Sequence, residues 1–180
     1  MKYVLIIGAK SNLGRSLAET YAKNNYSLYL AGRHIESIAD YKESLENKYK
    51  INIILCELDI CNLEKHKNFY NSLKIKPIGV IAAVGFYPDQ KKAELDWNLS
   101  KNTVDVNFLG PMSLLNIISD DMKQRKNGFI VGISSISGDR GRKKNYIYGS
   151  SKSGFTEYLS GLRNSLHSYG ISVLTVKLGF

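Results

Sequence analysis

Tyr3-Val4-Leu5-Ile6-Ile7-Gly8-Ala9-Lys10-Ser11-Asn12-Leu13-Gly14 is the stretch that decides how the rest of the chain is read. Tyr3 to Ile7 form a short apolar run that stops on a glycine, the pattern of a strand buried on both faces. A helical pattern follows from Leu13 to Asn24. A glycine between such a strand and helix lets backbone N–H groups approach a pyrophosphate, and the helix N-terminus adds a favourable dipole. A tight turn with no ligand is the plainer reading of the same residues.

Outward from this unit the pattern repeats. Ser27 to Ala31, Asn52 to Leu55, Ile78 to Ala82, Phe129 to Ile133 and Ser172 to Val176 read as further buried strands. Ile35 to Tyr49, Leu63 to Leu73, Asp96 to Arg125 and Tyr146 to Tyr169 read as helices. In the last of these, Phe155, Leu159, Leu162, Leu166 and Tyr169 step along one face. Strand–helix alternation with nearly continuous apolar strands predicts an α/β fold: a doubly wound parallel sheet of six strands in three layers, helix–sheet–helix. No repeat or linker divides it, so residues 1–180 are expected to form a single domain. The last strand ends at Lys177-Leu178-Gly179-Phe180 with nothing after it to cover an apolar edge. On that ground the C-terminal part of the fold is expected to be missing.

The bulk properties exclude several classes. A length of 180 residues with 43% hydrophobic and 23% charged content suits one soluble globule. No apolar run reaches membrane-spanning length, and the opening residues read as a strand rather than a signal peptide. Cys56 and Cys61 lack the further cysteines or histidines of a zinc site, so no metal is expected, and they read as ordinary cytoplasmic thiols. The net charge of +9 admits nucleic acid as a partner. The lysines are scattered over amphipathic helices without a recognisable nucleic-acid motif, which favours a solvated basic surface and no nucleic-acid role.

The chemistry concentrates in Tyr148-Gly149-Ser150-Ser151-Lys152, where the tyrosine and lysine share one helix face. A free phenol, with a pKa of about 10, exchanges protons poorly at neutral pH. A lysine cation roughly 6 Å away at an effective dielectric of about 20 favours phenolate by about 3 kcal/mol, or about two pKa units. That is enough to make the tyrosine a usable general acid or base. Ser135, in Gly132-Ile133-Ser134-Ser135-Ile136-Ser137-Gly138, lies thirteen positions earlier, and Asn107 lies twenty-eight before that.

With this spacing the chain resembles the short-chain dehydrogenase/reductase family, from Lys2 to Phe180. Gly8 and Gly14 match its G-x-x-x-G-x-G turn, with Asn12 in place of the middle glycine; asparagine tolerates left-handed backbone better than most residues. The resemblance implies a Rossmann-like fold in which Gly8, Lys10, Ser11, Asn12, Leu13, Gly14, Arg33, Asp59, Tyr148 and Lys152 bind the cofactor. It implies a catalytic set of Asn107, Ser135, Tyr148 and Lys152. Tyr148 would protonate the oxygen of a small-molecule carbonyl substrate as hydride arrives, and Ser135 would position that oxygen. Lys152 would also bind ribose, and Asn107 would hold a water that relays protons. Asp59 corresponds to the family's adenine contact. Where an NAD site offers a carboxylate at the end of the second strand, this sequence has Arg33, a cation suited to a 2′-phosphate, so NADP(H) is the expected cofactor.

Two motifs depart from the family. Ala82-Ala83-Val84-Gly85 stands where Asn-Asn-Ala-Gly is usual, and Leu178-Gly179 where Pro-Gly is. The run from Ser134 to Lys152 is similar to the branch that reduces a keto-pentose on a polyprenyl phosphate carrier in polysaccharide biosynthesis. Arg140, Arg142, Lys143 and Lys144 in that run would attract a phosphorylated substrate. Gly149, Ser150, Ser153 and Gly154 would allow close helix packing, and the resemblance implies a homodimer or homotetramer through that helix. A catalytically silent dinucleotide-binding protein of the same fold remains the alternative.

Overall fold

The computed structural model describes residues 2–179. Six strands, β1 (Tyr3–Ile7), β2 (Ser27–Gly32), β3 (Ile53–Glu57), β4 (Gly79–Ala82), β5 (Phe129–Ser135) and β6 (Ser172–Leu178), form one sheet in the order β3-β2-β1-β4-β5-β6. Every pairing is parallel. Phe180, the end of the expected closing run, lies outside the described residues.

The central apolar strands serve two layers at once, because successive side chains point to opposite faces. The edge strands β3 and β6, expected to be buried, are not: Ile54 and Leu174 are 36% and 57% exposed, because at either end of the sheet order the covering layers do not enclose both faces. In β1, Val4 and Ile6 join a core with Ala18, Ala22, Leu30 and Ile38, beneath α1 (Asn12–Lys23) and α2 (Ala39–Tyr49). Leu5 and Ile7 join the opposite core with Tyr70, Leu114, Ile118, Phe155 and Leu159. Those residues come from α3 (His66–Ser72), α6 (Gly110–Arg125) and α7 (Tyr146–His167). The chain winds outward from β1 to β3 on one side and from β4 to β6 on the other. The reversal between β1 and β4 opens a crevice at the carboxyl ends of those strands.

Several expected boundaries shift. The second and third helices begin with 3-10 turns, Ile35–Ile38 and Leu63–Lys65. The segment expected as one helix from Asp96 to Arg125 is α5 (Trp97–Val104), a π turn (Asp105–Leu109) and α6, preceded by a separate short α4 (Gln90–Leu95). Pro111 supplies the reason for the π turn: it has no N–H to give the Asn107 carbonyl four residues back, so the ladder is remade. Gly110 lies so close to β3's following loop that a Cβ would sit 2.4 Å from the Ile60 carbonyl oxygen. Tyr169 falls beyond the end of α7 and stays 40% exposed, whereas Phe155, Leu159, Leu162 and Leu166 are buried as their spacing predicts. Two of the small residues of α7 serve packing within the chain. Gly149 lies against the Ser137 carbonyl, and Gly154 lies beneath the Phe108 ring.

Candidate active site

β1 delivers Gly8 to the crevice with φ +87, where a Cβ would stand 2.5 Å from the Ala83 carbonyl oxygen. Gly14, on the first turn of α1, is equally confined: a Cβ there would meet the Gly8 carbonyl oxygen at 2.4 Å. Between them Ser11 caps α1, its Oγ accepting from the Gly14 N–H at 3.0 Å and donating to the Gly8 carbonyl at 2.9 Å. The turn tolerates Asn12 for a different reason from the one expected. Asn12 is the first residue of α1 and is not among the positive-φ residues, so neither glycine nor left-handed backbone is required there. The first-turn amides of Asn12 and Leu13 lie at the open end of the helix dipole, the natural seat of a phosphate.

A trough of about 520 Å³ runs from this turn, lined by Gly8, Lys10, Ser11, Arg33, His34, Asp59, Val84, Gly85 and Val106 among others. It gathers the residues expected at the adenosine end of a dinucleotide. Lys10 Nζ donates to the His34 carbonyl at 3.3 Å. Asp59 Oδ1 accepts the Cys61 N–H at 3.0 Å, which fixes the loop after β3. Glu57, at the end of β3, was not legible as part of this region. The parallel register sets Gly32 beside Glu57, and the carboxylate accepts the N–H groups of His34 and Ile35 at 2.9 and 3.1 Å.

The trough continues through Ser11, Ala83, Val84 and Gly85, which it shares with a second cleft of about 350 Å³. Ser135, Tyr148 and Lys152 all line this cleft, together with Ser137, Tyr87 and Leu178. Ser135 ends β5 and is 9% exposed, its Oγ accepting the Ser137 N–H at 3.1 Å. Lys152 is 3% exposed and donates from Nζ to the carbonyls of Val84 and Ile133 at 3.2 and 3.1 Å. Its ammonium stands 6.0 Å from the Tyr148 ring centre. The ring of Tyr87 meets that of Tyr148 edge-on at 4.8 Å between centres.

The electrostatics differ from the sequence expectation. Burial raises the Tyr148 pKa above its usual value; the Ser135 hydroxyl beside it pulls the other way, and Tyr87 adds to the rise. Burial also lowers Lys152 to about 8. Both charged forms lose hydration, and in the protein alone the lysine does not bring the phenol down. Lys152 still carries its proton at neutral pH.

Asn107 is fully buried on the π turn, and its side chain is committed to Phe86, donating to the Phe86 carbonyl and accepting the Phe86 N–H, both at 2.8 Å. The carboxamide therefore has a structural role, with both its N–H and its oxygen paired to the Phe86 backbone. The backbone carbonyl of Asn107 is the atom that Pro111 leaves without its helical donor. By clasping Phe86, Asn107 fixes the segment that carries Tyr87 into the cleft.

A parallel sheet with this winding, a glycine turn at its switch point and a Ser–Tyr–Lys set along one crevice defines a nicotinamide-dinucleotide oxidoreductase architecture. The family model described as short chain dehydrogenase matches residues 2–180. An uncharacterized oxidoreductase of Mycobacterium tuberculosis is 33% identical over 180 residues, covering 98% of this chain and 72% of that protein. The chain belongs to the short-chain dehydrogenase family and is an oxidoreductase of that type. Among solved structures, a short-chain dehydrogenase from Sphingobium yanoikuyae in complex with NADPH superposes with a TM-score of 0.88 at 21% identity, over 98% of this chain and 72% of that one. A 3-oxoacyl-[acyl-carrier protein] reductase from Brucella melitensis with bound NAD gives 0.89 at 20% identity, over 98% and 70%. Both share the fold.

Proposed function

We propose that this protein reduces a carbonyl compound with NADP(H), using Tyr148 as the general acid. The observation that carries the reading is one continuous crevice holding both a glycine-lined phosphate turn and the Ser135–Tyr148–Lys152 set. The residues fit a dinucleotide: a side chain at Gly8 would fill the cradle, and Arg33 and Lys10 offer cations at the adenosine end. The cofactor, when bound, supplies hydride to the carbonyl carbon. Tyr148 gives a proton to the carbonyl oxygen, Ser135 holds that oxygen and stabilises its developing charge, and Lys152 binds ribose and returns a proton toward the phenol. Tyr148 is protonated at neutral pH, the form from which an acid must start, but burial raises its pKa in the protein alone, which makes it a weaker donor than the reaction needs. The Asn107 carbonyl is the seat of the relaying water.

Titration of NADPH and NADH by fluorescence tests the cofactor. Turnover of a carbonyl panel in the same preparation separates an enzyme from the catalytically silent binder. Tight binding without turnover of any carbonyl would favour the silent form.

The substrate reading narrows to an anionic one, a phosphorylated or lipid-linked keto-sugar. Its support is the loop between Ser135 and Tyr148, where Arg140, Lys143 and Lys144 are exposed while Asp139 is paired with Lys177. Equal kcat/KM for a keto-sugar phosphate and its dephosphorylated form would discard this narrower reading. We further propose a homo-oligomer through the α5 and α7 face. Leu95, Trp97 and Tyr146 are 92%, 76% and 46% exposed there, around an apolar groove of about 720 Å³.

A further inference from the structure

The turn that carries Arg33 is held from two sides. His34 adopts left-handed backbone, φ 50 and ψ 47, and gives no side-chain cap to the 3-10 segment it begins. A residue with a Cβ stays in that region only where its surroundings hold it. Here both oxygens of Glu57 take the two amides at the start of that segment, His34 N–H on Oε1 at 2.9 Å and Ile35 N–H on Oε2 at 3.1 Å. Lys10 Nζ grips the His34 carbonyl from the phosphate turn at 3.3 Å. The Ile35 amide first, and then the His34 amide, hold the Glu57 carboxyl below its usual range, so it is a carboxylate at neutral pH. Arg33 and His34 line the trough, but Glu57 is not among its lining residues. The acid therefore grips the turn through its backbone and does not stand in the ribose site.

We infer that Glu57 is a positioning residue for cofactor choice: its clasp on the His34 and Ile35 amides fixes the Arg33 turn in a form that offers the guanidinium to a 2′-phosphate. This rests on the dinucleotide reading above and extends it to a residue on a different strand. The amides at a helix start are where an anion would otherwise bind. With Glu57 on both amides and Lys10 Nζ on the His34 carbonyl, the Arg33 side chain is left to meet an added phosphate. A guanidinium on a fixed turn loses less freedom on binding than one on a mobile turn. The carboxylate also repels a phosphate, but that repulsion is screened by salt and the turn geometry is not. Salt therefore separates the two effects.

The experiment is calorimetric binding of 2′,5′-ADP and 5′-AMP to the whole chain as wild type, E57Q and E57A, at low and high salt. E57A is expected to weaken 2′,5′-ADP about ten-fold at both salts, the order given by one lost charge-assisted contact, and to change 5′-AMP by less than about three-fold. E57Q, whose carboxamide oxygen can still accept one N–H, is expected to fall between, and it carries the test if E57A does not fold. Hydrogen exchange at the His34 and Ile35 amides should accelerate in step with the loss. Unchanged or tighter 2′,5′-ADP binding in E57A, or equal losses for the two nucleotides, overturns the role of Glu57 and leaves the dinucleotide reading standing. A wild-type protein that binds neither nucleotide refutes the dinucleotide reading itself.

Discussion

Lys152 shows how a single side chain can be costly to the fold and useful to the site. Its ammonium is buried against two carbonyls, and burial lowers its pKa to about 8. An unfolded lysine titrates at about 10.4, so above pH 8 the unfolded chain holds more protons than the folded one. Stability from this group is therefore least below the folded pKa and recovers as pH rises toward the unfolded value. Lys152→Met is expected to stabilise the protein at pH 7 by up to about 3 kcal/mol, while abolishing turnover. Denaturant melts at neutral and alkaline pH check this; a gain that persists undiminished at high pH would show that packing, not charge, is responsible. The neighbouring phenol gives the complementary prediction. Tyr148→Phe keeps the ring and its edge contact with Tyr87 but removes the proton. Turnover should fall by about three orders of magnitude or more while NADPH affinity stays within a few-fold, as expected for loss of a group that acts only in the transition state. Unchanged turnover would remove Tyr148 from the acid role.

The turns between elements set the shape of the site. Gly8 combines a φ of +87 with the Ala83 carbonyl where a side chain would be, so β1, β4 and the phosphate turn meet at a point that admits no Cβ. Gly8→Ala is expected to cost about 3 kcal/mol, from strained backbone and the displaced strand end. For a domain of this size that lowers Tm by roughly 6–12 °C. Dinucleotide binding should be lost at temperatures where the variant is still folded. A variant with wild-type Tm and affinity would mean that the turn is looser than its geometry indicates. The π turn is the second such junction. It buries Asn107 under the β4–α4 segment and turns Val106 into the trough, so one irregular turn serves both ends of the crevice.

At the scale of the molecule, the two winding directions of the sheet bring residues from Ile7 to Gly179 to one carboxyl-end crevice. The opposite concern is the face where Leu95, Trp97 and Tyr146 stand exposed beside α5 and α7. If a second copy covers it, Trp97→Asp should convert the oligomer to a smaller species, because burying an unpaired carboxylate opposes association. Sedimentation of the two proteins at equal concentration checks this, and an unchanged mass would exclude that face as the contact.

What the sequence determined by itself was periodic or local. Strands announce themselves as apolar runs, and α7 shows its core stripe from Phe155 to Leu166, because these signals depend on near neighbours; which strands lie at the exposed edges of the sheet, as β3 and β6 do, is not in those runs. Tyr148 and Lys152 are four residues apart, so a helix alone sets them on one face. The tertiary structure decided what depends on residues far apart in the chain. Glu57 reaches the Arg33 turn only because β2 and β3 pair in register, and the Asn107 side chain is committed to Phe86 only once the π turn packs against the segment after β4. The pKa of Tyr148 depends on how much water folding removes around it, and spacing in a sequence carries no measure of that.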